Sequence, residues 1–208
     1  MDSVTSRRYS AWISRVCVAL MLGWLLSGCA SFYVDGNARE VASAEFAKPE
    51  IARPVQVFFE FQTKGVANTR ATDLLRDRVL KQVKDSGLFG ALVDQAEPSA
   101  GVLSITLNNV PLSDDAFTKG FVTGLTFGLA GSQVSDGYVC TATYSPPGGG
   151  TPVVKSARHA IHATLGASSA PANATKAANA EDAVFTMSRQ VISQVLNDLS
   201  HDSAFAAH

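Results

Sequence analysis

The chain has 208 residues, with 17 basic and 18 acidic side chains and a net charge of −1. That balance leaves no basic footprint and argues against nucleic-acid binding. The three cysteines and four histidines are scattered, so they suggest no metal ligand set, and no cofactor motif appears.

Arg7, Arg8 and Arg15 precede an uncharged apolar run over residues 16–26, the order of a secretory signal. The run is shorter than the roughly 20 residues a helix needs to span a bilayer. It ends in Leu25-Leu26-Ser27-Gly28-Cys29, which resembles the lipobox of bacterial lipoproteins. The resemblance implies a signal peptide over residues 1–28, a diacylglycerol thioether on Cys29 and an acylated new amino group, with palmitate as the typical chain. Where an aspartate commonly retains such proteins at the inner membrane, this chain has Ala30, so the resemblance implies the periplasmic face of the outer membrane. Several acyl chains make such anchoring near-permanent, at about 0.8 kcal/mol per buried methylene.

Without the signal about 180 residues remain, enough for one domain with its own core. Losing Arg7, Arg8, Arg15 and Asp2 takes the net charge to −3. Cys17 leaves and Cys29 is lipidated, so Cys140 has no partner for an internal disulfide in an oxidising compartment. Trp12 and Trp24 leave as well, which removes any tryptophan platform for sugar stacking.

Residues 29–54 mix small and charged residues with Pro49 and Pro54 and show no sustained period; they read as a lipidated tether. Residues 55–61 alternate, with Val55, Val57, Phe59 and Phe61 on one face and Gln56 and Glu60 on the other, and predict a strand. Asn68 or Thr69 then caps a helix carrying Ala71, Leu75, Val79 and Val83 along one side. That helix ends at Ser86 or Gly87, with Gly87 left-handed and Leu88 folded back in a Schellman ending. A short edge strand is expected at 91–94 and a longer strand at 101–110, with Leu103, Ile105 and Leu107 inward. Residues 138–144 and 152–165 form a long hairpin about Pro146-Pro147-Gly148-Gly149-Gly150. Residues 166–179 read as a loop. Asn179 caps a last helix with Val184, Met187, Val191, Val195 and Leu199 in one stripe, followed by a polar tail over 201–208.

The expected fold is α+β: a two-layer sandwich of a mixed or antiparallel sheet with two helices on one face, ordered β-α-β-β-(insertion)-β-β-α. Its domain runs over 55–200. By this element order the chain resembles the small periplasmic lipoproteins that share a domain with the TolB amino-terminal region, the curli secretion lipoprotein, the Pel polysaccharide lipoprotein and the lipoprotein activators of peptidoglycan synthases. The resemblance implies a non-catalytic assembly or regulatory subunit of an envelope complex, with an envelope protein as partner. The insertion departs from that pattern, and no partner-binding residue matches by position.

That insertion, residues 115–135, carries no charge after Lys119 until Asp136. As a helix it places Gly120, Gly124 and Gly128 beside a row of Phe117, Phe121, Leu125 and Leu129. As a strand it groups Phe121, Leu125, Phe127 and Leu129, and periodicity does not decide between the two. It reads either as a loop over an open core edge or as a contact surface for a protein partner, another copy of the chain or the membrane. Phe117, Phe121, Leu125, Phe127 and Leu129 are the candidate contact residues, and Cys29 the candidate lipidation site.

His159 and His162, three apart in a strand, point to opposite faces and cannot jointly hold a metal. Cys140 reads as a buried small hydrophobe. With no nucleophile motif or phosphate loop, no catalytic residue is assigned and no enzyme is expected. The alternative function is a lipid or glycolipid carrier, which needs a lined cavity of about 300 Å³ or more, whereas an assembly factor needs a flat or convex apolar patch.

Overall fold

In the computed structural model, residues 30–111, 133–165 and 172–207 are described. Phe59 and Phe61 turn inward while Phe58 is 51% exposed and Glu60, between the two, is exposed as well, so the period-2 pattern of this stretch builds strand β2, Val55–Thr63. The same alternation runs through β4 (Gly101–Pro111), β5 (Gln133–Ser145) and the first half of β6 (Val153–Leu165), whose residues 159–162 are buried on both faces. Leu103, Ile105, Leu107, Cys140, Ala142 and Tyr144 all point into one core. β2 pairs parallel with β4, and β4, β5 and β6 are antiparallel neighbours. Between β5 and β6 the turn is made at Gly148 and Gly149, whose φ angles of 81° and 84° favour glycine.

Helix α1 spans Thr69–Asp85 and buries Thr72, Leu75, Val79 and Val83, a stripe at helical spacing. Asn68 caps it by accepting from the Ala71 N–H at 3.1 Å. The chain reverses at Gly87, φ 67°, and Leu88 is buried. The Leu88 N–H is taken by Ser86 Oγ at 3.2 Å, so a side chain supplies the closing acceptor at the expected position. Helix α2, Ala180–Ser200, is capped by Asn179, which accepts from Asp182 N at 2.9 Å. Asp182 in return accepts from Ala178 N at 2.9 Å, a reciprocal arrangement like a capping box. α1 lies on β2, α2 lies across β6, β5 and the short strand Ala30–Val34, and the helices touch. The α+β expectation, two long helices on one face of a mixed sheet, therefore holds.

Four short elements complete the architecture: β1 (Ala30–Val34), β3 (Val66–Ala67), β7 (Thr175–Lys176) and α3 (Ser203–Ala206). Among the described residues the sheet has the order β3-β2-β4-β5-β6-β1-β7. Three stretches depart from the sequence expectation. The stretch read as a tether is built into the domain: β1 pairs with β6 from Ala30↔Leu165 to Val34↔Ile161, and Asp35, Ala38 and Phe46 are buried beyond it. Its hold on the domain comes from backbone pairing and single anchors, which leave no period to read. The edge strand at 91–94 reduces to one parallel bridge, Leu92 to Val55. The polar tail contains α3, whose Phe205 is 4% exposed and stacks edge-on against Tyr144 and Phe89, with centroids 5.0 and 5.8 Å away.

Candidate functional site

After β1 the chain runs as a strap along α2 and over the helix pair. Val41 N donates to Ser193 Oγ at 2.9 Å and Ala47 N to Ser200 Oγ at 3.1 Å. Each serine passes the bond on, donating to the carbonyl three residues earlier, Gln190 O and Asn197 O, both at 2.7 Å. Lys48 Nζ donates to the Ser86 carbonyl at the end of α1, where a cation also meets the negative end of the helix dipole. Burial holds the Lys48 ammonium below its usual pKa.

Between the strap and the two helices lies a cleft of about 360 Å³, at the small end of the range for ligand-binding sites. Val79 of α1, Ile192 of α2 and Phe46 of the strap supply its apolar lining. Gln82 Nε2 crosses from α1 to the Arg189 carbonyl of α2 at 2.8 Å. The charged groups at the rim are matched in place: Arg189 pairs with Glu40 at 2.7 Å, Lys81 with Asp85, and the Arg78 guanidinium lies 3.7 Å from the Phe185 ring centroid. Next to the cleft Arg39 grips Glu45 at 2.7 and 3.0 Å and holds its carboxyl down at about 2. Such a surface accepts an apolar group and frames it with oriented polar ones. Ala42 and Ser43, small and exposed, leave the strap side of the cleft open.

A second polar cluster joins β1, β6 and α2. His159 Nε2 donates to Gln190 Oε1 at 2.7 Å, and His159 Nδ1 accepts the Ala160 N–H at 2.8 Å. That arrangement is the neutral ring, and burial lowers the His159 pKa. His162 Nε2 lies 3.4 Å from Asp35 Oδ2 on the other side of the strand, and Asp35 Oδ1 takes the Asn37 N–H at 2.8 Å. Burial opposes the Asp35 charge, but the His162 hydrogen bond and the Asn37 N–H together hold its pKa below the usual carboxylate value. Both histidines and Asp35 are buried, so the cluster locks β1 onto β6 and presents no group to a substrate.

The histidines do part to opposite faces, as their spacing predicts. No group of three metal-binding side chains occurs among the described residues. Cys140 is fully buried and free, and desolvation pushes its thiol up to about 12. Among the described residues no helix is long and apolar enough to cross a membrane. The candidate lipidation site Cys29 and the candidate contact residues Phe117, Phe121, Leu125, Phe127 and Leu129 lie outside the described residues. The cleft was not foreseen in the sequence. Its one legible trace is the placing of Ser188, Ser193 and Ser200 on the buried face of α2, where serine has no hydrophobic reason to be.

No family model matches the chain, and no curated protein matches it. Among solved structures it is similar to a PelC dodecamer from Paraburkholderia phytofirmans, at 14% identity over 83% of this chain and 97% of that one, TM-score 0.32. A Xanthomonas campestris protein of a domain family without assigned function matches at 13% identity over 77% and 89%, TM-score 0.35. The rare lipoprotein B of Shewanella oneidensis matches at 16% identity over 74% and 99%, TM-score 0.33. At these TM-scores the likenesses carry no argument about function.

Proposed function

We propose that this chain is an outer-membrane lipoprotein, anchored through acyl chains on Cys29 and facing the periplasm, whose domain is a non-catalytic assembly or regulatory subunit of an envelope complex. The observation that carries the reading is the cleft between α1, α2 and the strap, apolar inside and framed by matched charges. It suits one or two apolar side chains of a partner protein, seated between groups already oriented to receive a polar surround. Anchoring adds effective concentration, since a domain held at the membrane meets a membrane-bound partner at far higher local concentration than a free one.

The test is a photo-crosslinking residue at Ser43 in the acylated protein within intact envelopes. A defined protein adduct supports the reading, and its absence from every envelope preparation counts against it. The cleft volume also favours a second reading, a lipid or glycolipid carrier, since it exceeds the 300 Å³ or so that such a role needs. A stoichiometric lipid adduct from the same position replaces the first reading with the second.

A further inference from the structure

The first described residue, Ala30, is paired with Leu165, the last residue of β6. The position before it, Cys29, is therefore joined by a single peptide unit, about 3.8 Å between Cα atoms, to the very end of the sheet. The topology brings other chain passages to the same end. β5 begins there, Gln133 being paired with Thr164, and β4 leaves toward it, with Pro111 paired to Asp136. Pro111 and Gln133 therefore both lie toward the sheet end that receives Ala30. With neighbouring strands about 4.8 Å apart, Ala30 and Gln133 flank β6 at roughly 10 Å from each other.

The opposite end is remote. β6 runs 13 residues from Val153 to Leu165, about 40 Å at the usual strand rise. That far end carries the Gly148-Gly149 turn, the C-terminus of α1, and α3. Could the domain instead lie flat on the bilayer? The helix-free face of the sheet exposes Phe58 and Val154, but around them it bears Glu60, Thr106, Thr141, Ser156 and Arg158, and Thr141 and Ser156 already share a hydrogen bond of 3.0 Å. Laying that face on lipid strips water from hydroxyls and charges without supplying partners.

We propose that the sheet end formed by Ala30, Gln133 and Leu165 is the surface that faces the lipid bilayer, with the β5–β6 turn pointing away from it. The inference rests on the lipid anchor of the proposed function and adds an orientation to it. Held this way, the cleft between the helices opens sideways, parallel to the membrane, toward a neighbour on the same bilayer.

The experiment uses the full-length acylated protein in vesicles of phosphatidylethanolamine and phosphatidylglycerol that contain a headgroup energy acceptor. Two exposed positions take a fluorescent donor through Lys176→Cys, on β7 at the level of Tyr33, and Thr151→Cys, in the β5–β6 turn. Cys140 is buried and stays unlabelled. Transfer several-fold stronger from the Lys176→Cys label than from the Thr151→Cys label is expected. Equal or reversed transfer, with acyl chains on the N-terminal peptide by mass spectrometry, overturns the orientation and leaves the anchor standing. A mature N-terminal peptide without acyl chains overturns the anchor reading, and this inference falls with it.

Discussion

Val41 and Ser193 meet across a 2.9 Å hydrogen bond although 152 positions separate them in the chain, and Ser193 hands the bond on to Gln190 O. The serine is the strap's latch on α2. Ser193→Ala leaves the Val41 N–H without its acceptor, at a cost of about 1–3 kcal/mol. The matching fall in melting temperature is roughly 2–4 °C per kcal/mol for a domain of this size. Ser193→Thr keeps the hydroxyl and should recover most of the loss; urea unfolding of the three proteins measures it.

The strap as a whole belongs to the core. Deleting residues 31–48 removes all of β1 but Ala30, together with the buried Phe46, so the shortened chain should fail to give a cooperative unfolding transition. The single change Phe46→Ala should cost about 3–5 kcal/mol, the usual range for emptying a buried aromatic site. An unaltered melting temperature in the deletion would restore the tether reading that the sequence suggests.

Acidification should weaken the fold in two stages. The His159 pKa is lowered by burial from 6.5. Its contribution is complete above that value and is lost as pH falls through the lowered one, because the unfolded state takes up the proton first. Asp35, held below 3.8, follows the same sign in a lower window. Stability should thus decline from about pH 6.5 downward, with a slope of up to roughly 1.4 kcal/mol per pH unit for each proton. In His159→Gln the slope between pH 7 and 5 should flatten, even though the variant is weaker at pH 7. Chemical denaturation across this range reads both effects.

The Cys140 thiol, with desolvation pushing it up to about 12, should not react with a thiol reagent at pH 8 in the native protein. It should react fully once denaturant opens the sheet. Partial native labelling would show that β5 opens locally.

Much of this fold is legible in the sequence because burial repeats there: Phe59 and Phe61 in β2, Leu75, Val79 and Val83 in α1, Leu103, Ile105 and Leu107 in β4. What escapes is held by single anchors. β1 has five residues, Ala30–Val34, no clean alternation, and lies directly after Cys29. In α3 one aromatic, Phe205, does the packing. The strap is fastened by backbone N–H groups, which carry no sequence signature, and the cleft exists because of the strap. Of the candidate site the sequence offers only the serines on the inner face of α2, visible in hindsight as polar residues in an apolar stripe.

The cleft, in the proposed function, seats apolar side chains of a partner protein. The most direct measurement of that seating compares photo-crosslinking from Ser43 in intact envelopes between the native protein and Ala42→Trp, which fills the cleft from its exposed rim, with Ser156 on the open sheet face as the control position. One defined protein adduct is expected from Ser43, lost when Ala42→Trp occupies the cleft and absent from Ser156. An adduct that persists in the filled variant, or forms equally from Ser156, would contradict it.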